Sequence, residues 1–175
     1  MSNSIDKTCT LFIVDTEEYA GNFEREMGAY LTGRIGDSDT GSLQARIARK
    51  EWKELQALEN LKGPFFGLPT PIVVDDSEDG GLFTIWPTEG WVNDGMGVCS
   101  KSDKPGYAAY LSVALAYSQD LTPAQIKTLT ERARRFCENY LQFGGSGPKN
   151  LTFTGVRVIR RVMTVVDTVV HRDPA

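Results

Sequence analysis

The chain has 175 residues, 41% of them apolar and 24% charged; these proportions exclude a wholly disordered polymer and suit one domain that buries about two-thirds of its unfolded surface. Its 19 basic side chains stand against 23 acidic ones, a net charge of −4, so no general attraction to nucleic acid or to an anionic membrane is expected. Three cysteines without CxxC spacing argue against a disulfide framework, and a single histidine, His171, removes His-based zinc sites and His-dependent relays unless that residue itself serves.

The N-terminus has no basic segment leading into an apolar run, and no stretch approaches 18 consecutive apolar residues. A soluble, cytoplasmic protein without a membrane partner is therefore expected.

Cys9 to Val14 is a short apolar, partly β-branched run ending at Asp15. It predicts a first strand, central because both of its faces are apolar. Ala20, Phe23, Met27, Tyr30 and Leu31 then fall at helical spacing, ended by Gly33 and Gly36. Ser42 offers an N-cap to a second helix, with Leu43, Ile47, Leu55, Leu58 and Leu61 as its inner stripe and Gly63-Pro64 as its stop.

Residues 63–106 hold five of the eight prolines and several aromatic residues. They read as a loop-rich elaboration of the same domain, with short strands at 71–74 and 82–86 joined by an acidic turn. Ala109 to Tyr117 reads as a strand. Thr122-Pro123-Ala124-Gln125 is a capping box with proline at the first helical position, followed by the stripe Ile126, Leu129, Ala133, Phe136, Cys137, Tyr140 and Leu141. Gly144-Gly145 is read as the stop of that helix. Leu151 to Val170, rich in Val, Thr and Ile, predicts one long or two short strands. The sum is a single α+β domain over residues 1–175, a mixed or antiparallel sheet of about five strands covered by three helices.

Two carboxylates at spacing two, Asp15 and Glu17, stand at the end of the first strand and could hold Mg²⁺, which prefers oxygen ligands. The segment resembles the first motif of the DEDD exonucleases, in which such a pair would bind two metals beside a phosphodiester. That family's third motif is not placed: Tyr117 precedes Asp120 at the wrong spacing, and His171 has no suitable acid after it. The plainer reading is a strand end whose acids favour the positive end of the next helix.

Asp75-x-Ser77-x-Asp79-Gly80 begins like a calcium loop but places Trp86 where a bidentate glutamate belongs, so a solvated turn is the better reading. Gly144 to Lys149 is glycine-rich, yet a phosphate loop needs a helix after it, not before it. Arg46, Arg49, Lys50 and Lys53 share one side of the second helix, and Arg157, Arg160, Arg161 and Arg172 mark the C-terminal region. Both groups could meet phosphates or an acidic partner, and both also suit a solvated surface. Cys137, on a core stripe, reads as packing.

Val14-Asp15-Thr16-Glu17-Glu18-Tyr19-Ala20-Gly21-Asn22-Phe23-Glu24-Arg25-Glu26 resembles the opening of small accessory proteins of tailed bacteriophages and prophages. Leu129 to Phe136 followed by Thr154 to Ile159 is similar to their C-terminal helix and strand. The resemblance transfers no activity. It implies a context in which proteins of this size act on host machinery, including inhibition of CRISPR and other defence systems.

The expectation is thus a non-enzymatic protein, without a cofactor, that binds a host protein or ribonucleoprotein complex; direct nucleic-acid binding is less favoured. The first surface assigned to that role is Asp15, Glu17, Tyr19, Asn22 and Arg25, and the second is Arg46, Arg49, Lys50 and Lys53. Tyrosine and arginine suit such surfaces because they combine contact area with directed polar groups. The alternatives are a Mg²⁺-dependent phosphoesterase or nuclease using Asp15 and Glu17, and a nucleotide-sequestering protein using arginines and the faces of Trp86 or Trp91.

Overall fold

The computed structural model describes residues 2–18, 24–32, 53, 54, 57, 67–73, 83–140, 142–144, 147–149 and 151–173. The architecture is α+β with antiparallel sheets.

The largest sheet has five strands. Its spine is β1 (Ser2–Thr16), flanked by β10 (Phe153–Thr168) and β7 (Ser112–Tyr117). β2 (Pro71–Ile72) and β3 (Phe83–Trp86) both pair with the far edge of β7. The run Cys9 to Val14 is central as its two apolar faces require, with Phe12 and Val14 on one side and Cys9, Leu11 and Ile13 on the other, all buried. The strand is longer than its apolar run because β10 supplies a ladder from Ser2↔Thr168 onward, and polar residues are accepted where the pairing, not burial, holds the backbone.

The first face of the sheet packs on two helices, α1 (Glu24–Thr32) and α2 (Pro123–Asn139). Met27, Tyr30 and Leu31 from α1 meet Leu129, Phe136 and Cys137 from α2 above Phe12, Leu115 and Tyr117. Gly28 lets α1 approach β3: a Cβ there would lie 2.5 Å from the Phe83 ring. Arg132, a buried cation on α2, donates from Nε to the Leu31 carbonyl at 3.1 Å and from its terminal nitrogen to the Tyr30 carbonyl. It thereby satisfies carbonyls that the end of α1 leaves without helical partners.

The capping box forms as read: Thr122 Oγ1 accepts from the Gln125 N–H at 3.2 Å, and Gln125 Oε1 accepts from the Thr122 N–H at 2.8 Å. The stop does not. α2 ends at Asn139, where Tyr140 turns extended and is held in the core, its hydroxyl donating to Glu26 at 2.6 Å. Gly144 belongs instead to a hairpin of β8 (Gln142–Gly144) and β9 (Gly147–Lys149), facing Gly147.

Residues 71–72 and 83–86 are strands as expected, but they do not pair with each other; the acidic segment between them, 75–81, lies outside the described residues. Three short strands the sequence did not reveal, β4 (Trp91–Asn93), β5 (Cys99–Lys101) and β6 (Tyr107–Ala108), form a separate sheet in the order β5-β4-β6. The predicted second helix lies outside the described residues except Lys53, Glu54 and Ala57, which are helical. Among the described residues no helix is long and apolar enough to cross a membrane.

Candidate functional site

Four strands or strand ends meet where β1 finishes, and each contributes to a polar network. Asp15 of β1 lies between Ser112 of β7 and Gly155 of β10. Arg157, two residues along β10, reaches across Asp15: its Nε donates to Oδ2 at 2.9 Å and a terminal nitrogen to Oδ1 at 2.9 Å. That terminal nitrogen also donates to the Pro87 carbonyl at 2.7 Å, just past β3.

The Ser112 hydroxyl donates to Asp15 Oδ1 in a short contact. Because its proton is committed there, Thr88 must be the donor in the 2.6 Å contact between Thr88 Oγ1 and Ser112 Oγ. Thr88 Oγ1 in turn accepts from the Leu111 N–H at 2.8 Å. The result is a directed chain, Leu111 N–H to Thr88 to Ser112 to the Asp15 carboxylate, closed by the guanidinium of Arg157.

Burial makes this chain matter. Only 14% of the Asp15 side chain and 22% of the Arg157 side chain remain accessible, and Thr88 and Ser112 are buried. A carboxylate this shielded has given up much of its water, and a guanidinium and hydrogen bonds take its place. Beside it, Thr16 Oγ1 contacts the Leu111 carbonyl at 2.6 Å, while Glu18 accepts from the Thr152 N–H and hydroxyl, each at 2.8 Å.

Glu17 does not share in this network. It is exposed and pairs with Lys101 of β5 at 3.3 Å, so the two carboxylates proposed as a metal pair each face a cation of their own. Among the described residues, no group of three or more His, Cys, Asp or Glu is placed to hold a metal ion. Arg25 lies exposed on α1, and Lys53 is exposed and helical. Tyr19, Asn22, Arg46, Arg49 and Lys50 lie outside the described residues.

The aromatic faces considered for nucleotide stacking are engaged. The Arg161 guanidinium stands 4.2 Å from the Trp86 ring centroid, and Lys101 Nζ lies 5.6 Å from that of Trp91. Cys137 is fully buried, and desolvation, with added repulsion from Glu18 and Glu138, pushes its thiol up to about 12.

A second surface, which sequence reasoning missed, surrounds β4 and β6. Asp94 Oδ1 accepts from the Met96 N–H at 2.7 Å and the Val98 N–H at 3.1 Å, and Asn93 Oδ1 accepts from the Gly95 N–H at 2.6 Å. These side chains replace backbone partners in a tight loop, with Gly95 and Gly97 at φ +81 and +96, where a side chain would be strained. The loop holds Met96 outward, 90% exposed, next to Tyr107 at 72%. With Tyr110 they line a hollow of about 640 Å³. Sequence reading placed this loop only within a loop-rich segment over residues 63–106, and the pairing of Asn93 with Tyr107 that frames it was not legible there.

Compared with protein-family models, with curated protein sequences and with solved structures, the chain matches none.

Proposed function

We propose that the protein acts without chemistry of its own, by binding a macromolecular partner through an exposed, pre-shaped surface. The observation that carries the reading is the braced Met96 loop with Tyr107 and Tyr110 around a hollow. Methionine and tyrosine are enriched in protein interfaces, and a loop already locked by its Asx contacts loses little entropy on docking. The commitment of Asp15 to Arg157 and Ser112 supports the same reading, since it ties up the acid that a metal-dependent reaction would need.

The resemblance of the N-terminal segment to phage accessory proteins narrows the partner to a host protein or ribonucleoprotein complex, in the manner of an inhibitor of a bacterial defence system. Glu17, exposed and paired with Lys101, and Arg25, exposed on α1, offer further charged groups to a partner. Capture from a bacterial host lysate, followed by mass spectrometry, tests this directly. Met96→Ala with Tyr107→Ala is expected to lose the captured partner at unchanged melting temperature. Equal capture by wild type and variant overturns the surface. Magnesium-dependent turnover of nucleotide or nucleic acid, lost in Asp15→Asn, overturns the non-enzymatic reading.

A further inference from the structure

The spine strand and its outer neighbour extend well past the rest of the sheet. β1 pairs with β10 from Ser2 to Thr16, but with β7 only from Thr10 to Asp15. Residues 2–8 and 162–168 therefore form a two-stranded arm of about 23 Å, at 3.3 Å per residue. Two-stranded ribbons are marginal in water unless a third element covers them. Among the described residues no strand takes the outer edge of β10.

That edge lacks the usual protections. From Val162 to Asp167 it carries no proline, no lysine and no bulge, and its side chains are mostly β-branched. Val162 is 62% and Val166 60% exposed, and Ile5 on the paired strand is exposed as well. Charge runs along the strand in one direction: Arg157, Arg160 and Arg161 lie on the inner half and Asp167 at the tip. The arm itself holds Asp6, Lys7 and Asp167, too little positive charge for a nucleic-acid groove.

We propose that this edge pairs with the same edge of a second copy of the chain, antiparallel, about a two-fold axis through Thr164. A two-fold axis normal to a sheet sets residues of equal parity opposite one another. Centred on Thr164, the register places Val162 opposite Val166, Met163 opposite Val165 and Arg161 opposite Asp167, each twice. Thr164 meets its own counterpart, a favourable cross-strand pair.

Neighbouring registers lose this match. Centring on Met163 sets Val162 against Thr164 and Arg161 against Val165; centring on Val165 sets Val166 against Thr164 and Asp167 against Met163. Arg161 rests over Trp86 in the single chain, and pairing exchanges that contact for Asp167 of the second copy. The product is one sheet continuous through both chains, with both exposed valines of each arm covered.

Sedimentation of the full chain tests the proposal, with Cys99→Ser to remove the one cysteine that is not buried. The expected result is a particle of twice the chain mass. Val162→Lys with Val166→Lys is expected to leave a folded monomer, because both sites are exposed, with the melting temperature that the wild type shows when diluted to a monomer. Asp167→Arg is expected to weaken the dimer about tenfold, and Arg161→Asp combined with it to restore affinity. Thr164→Cys, oxidised, is expected to cross-link chain to chain. A monomer at every soluble concentration overturns the proposal, as does a dimer indifferent to the two lysines or one in which Thr164→Cys does not cross-link.

Discussion

Replacing Asp15 by asparagine separates a structural acid from a metal-binding one. In a metal site, removing one of several crowded carboxylates relieves repulsion, and the metal-free protein holds or gains stability. Here the carboxylate is the counter-charge of Arg157 and the acceptor of Ser112. Exposed ion pairs contribute about 0–1 kcal/mol and breaking fully buried ones costs about 3–5. With side-chain accessibilities of 14% and 22% the pair lies nearer the buried end, and the Ser112 bond to a charged acceptor is weakened at the same time.

The expected loss is about 2–3 kcal/mol, which for a chain of this length lowers the melting temperature by about 5–10 °C. Urea denaturation of Asp15→Asn, Arg157→Met and the double variant would measure it, with a coupling of about 2 kcal/mol between the two sites. A single variant within about 0.5 kcal/mol of wild type would refute the role assigned to the network.

Gly28→Ala, ordinarily a gain in a helix, is expected to cost about 1–3 kcal/mol in chemical denaturation because the new methyl meets the Phe83 ring; Phe83→Leu beside it should recover most of the loss. The Tyr117 hydroxyl is buried and has no hydrogen-bond partner among the described residues, so Tyr117→Phe should leave stability unchanged or raise it by about 1 kcal/mol, where a loss of similar size would reveal a partner. Burial raises Cys137 from its ordinary value of 9 to about 12, and it raises Tyr117 from 10 as well. Both groups keep their protons longer when folded, so their contribution is whole below about pH 9 and falls as pH climbs. Cys137 accounts for at most about 1.4 kcal/mol per pH unit between 9 and 12, and Cys137→Ala should flatten that part of the urea-midpoint profile.

Where local pattern alone decides structure, the chain is legible from its residues. The Thr122 to Gln125 box starts α2 because its bonds lie within four residues. The apolar run Cys9 to Val14 had to be central because neither of its faces tolerates water. The α+β class follows from such segments. Long-range contact decided the rest. β1 reaches back to Ser2 only because β10, some 150 residues on, offers a ladder, and α2 stops where Tyr140 finds Glu26 rather than at a glycine. Asp15 could be read as a ligand because its partners are distant in sequence: Arg157 read as a surface arginine, Ser112 lay within the strand from Ala109 to Tyr117, and Thr88 lay in the loop-rich segment, with nothing local to join them. The charge and hydrogen bonds around an acid determine what it does, and only folding brings them within reach of it.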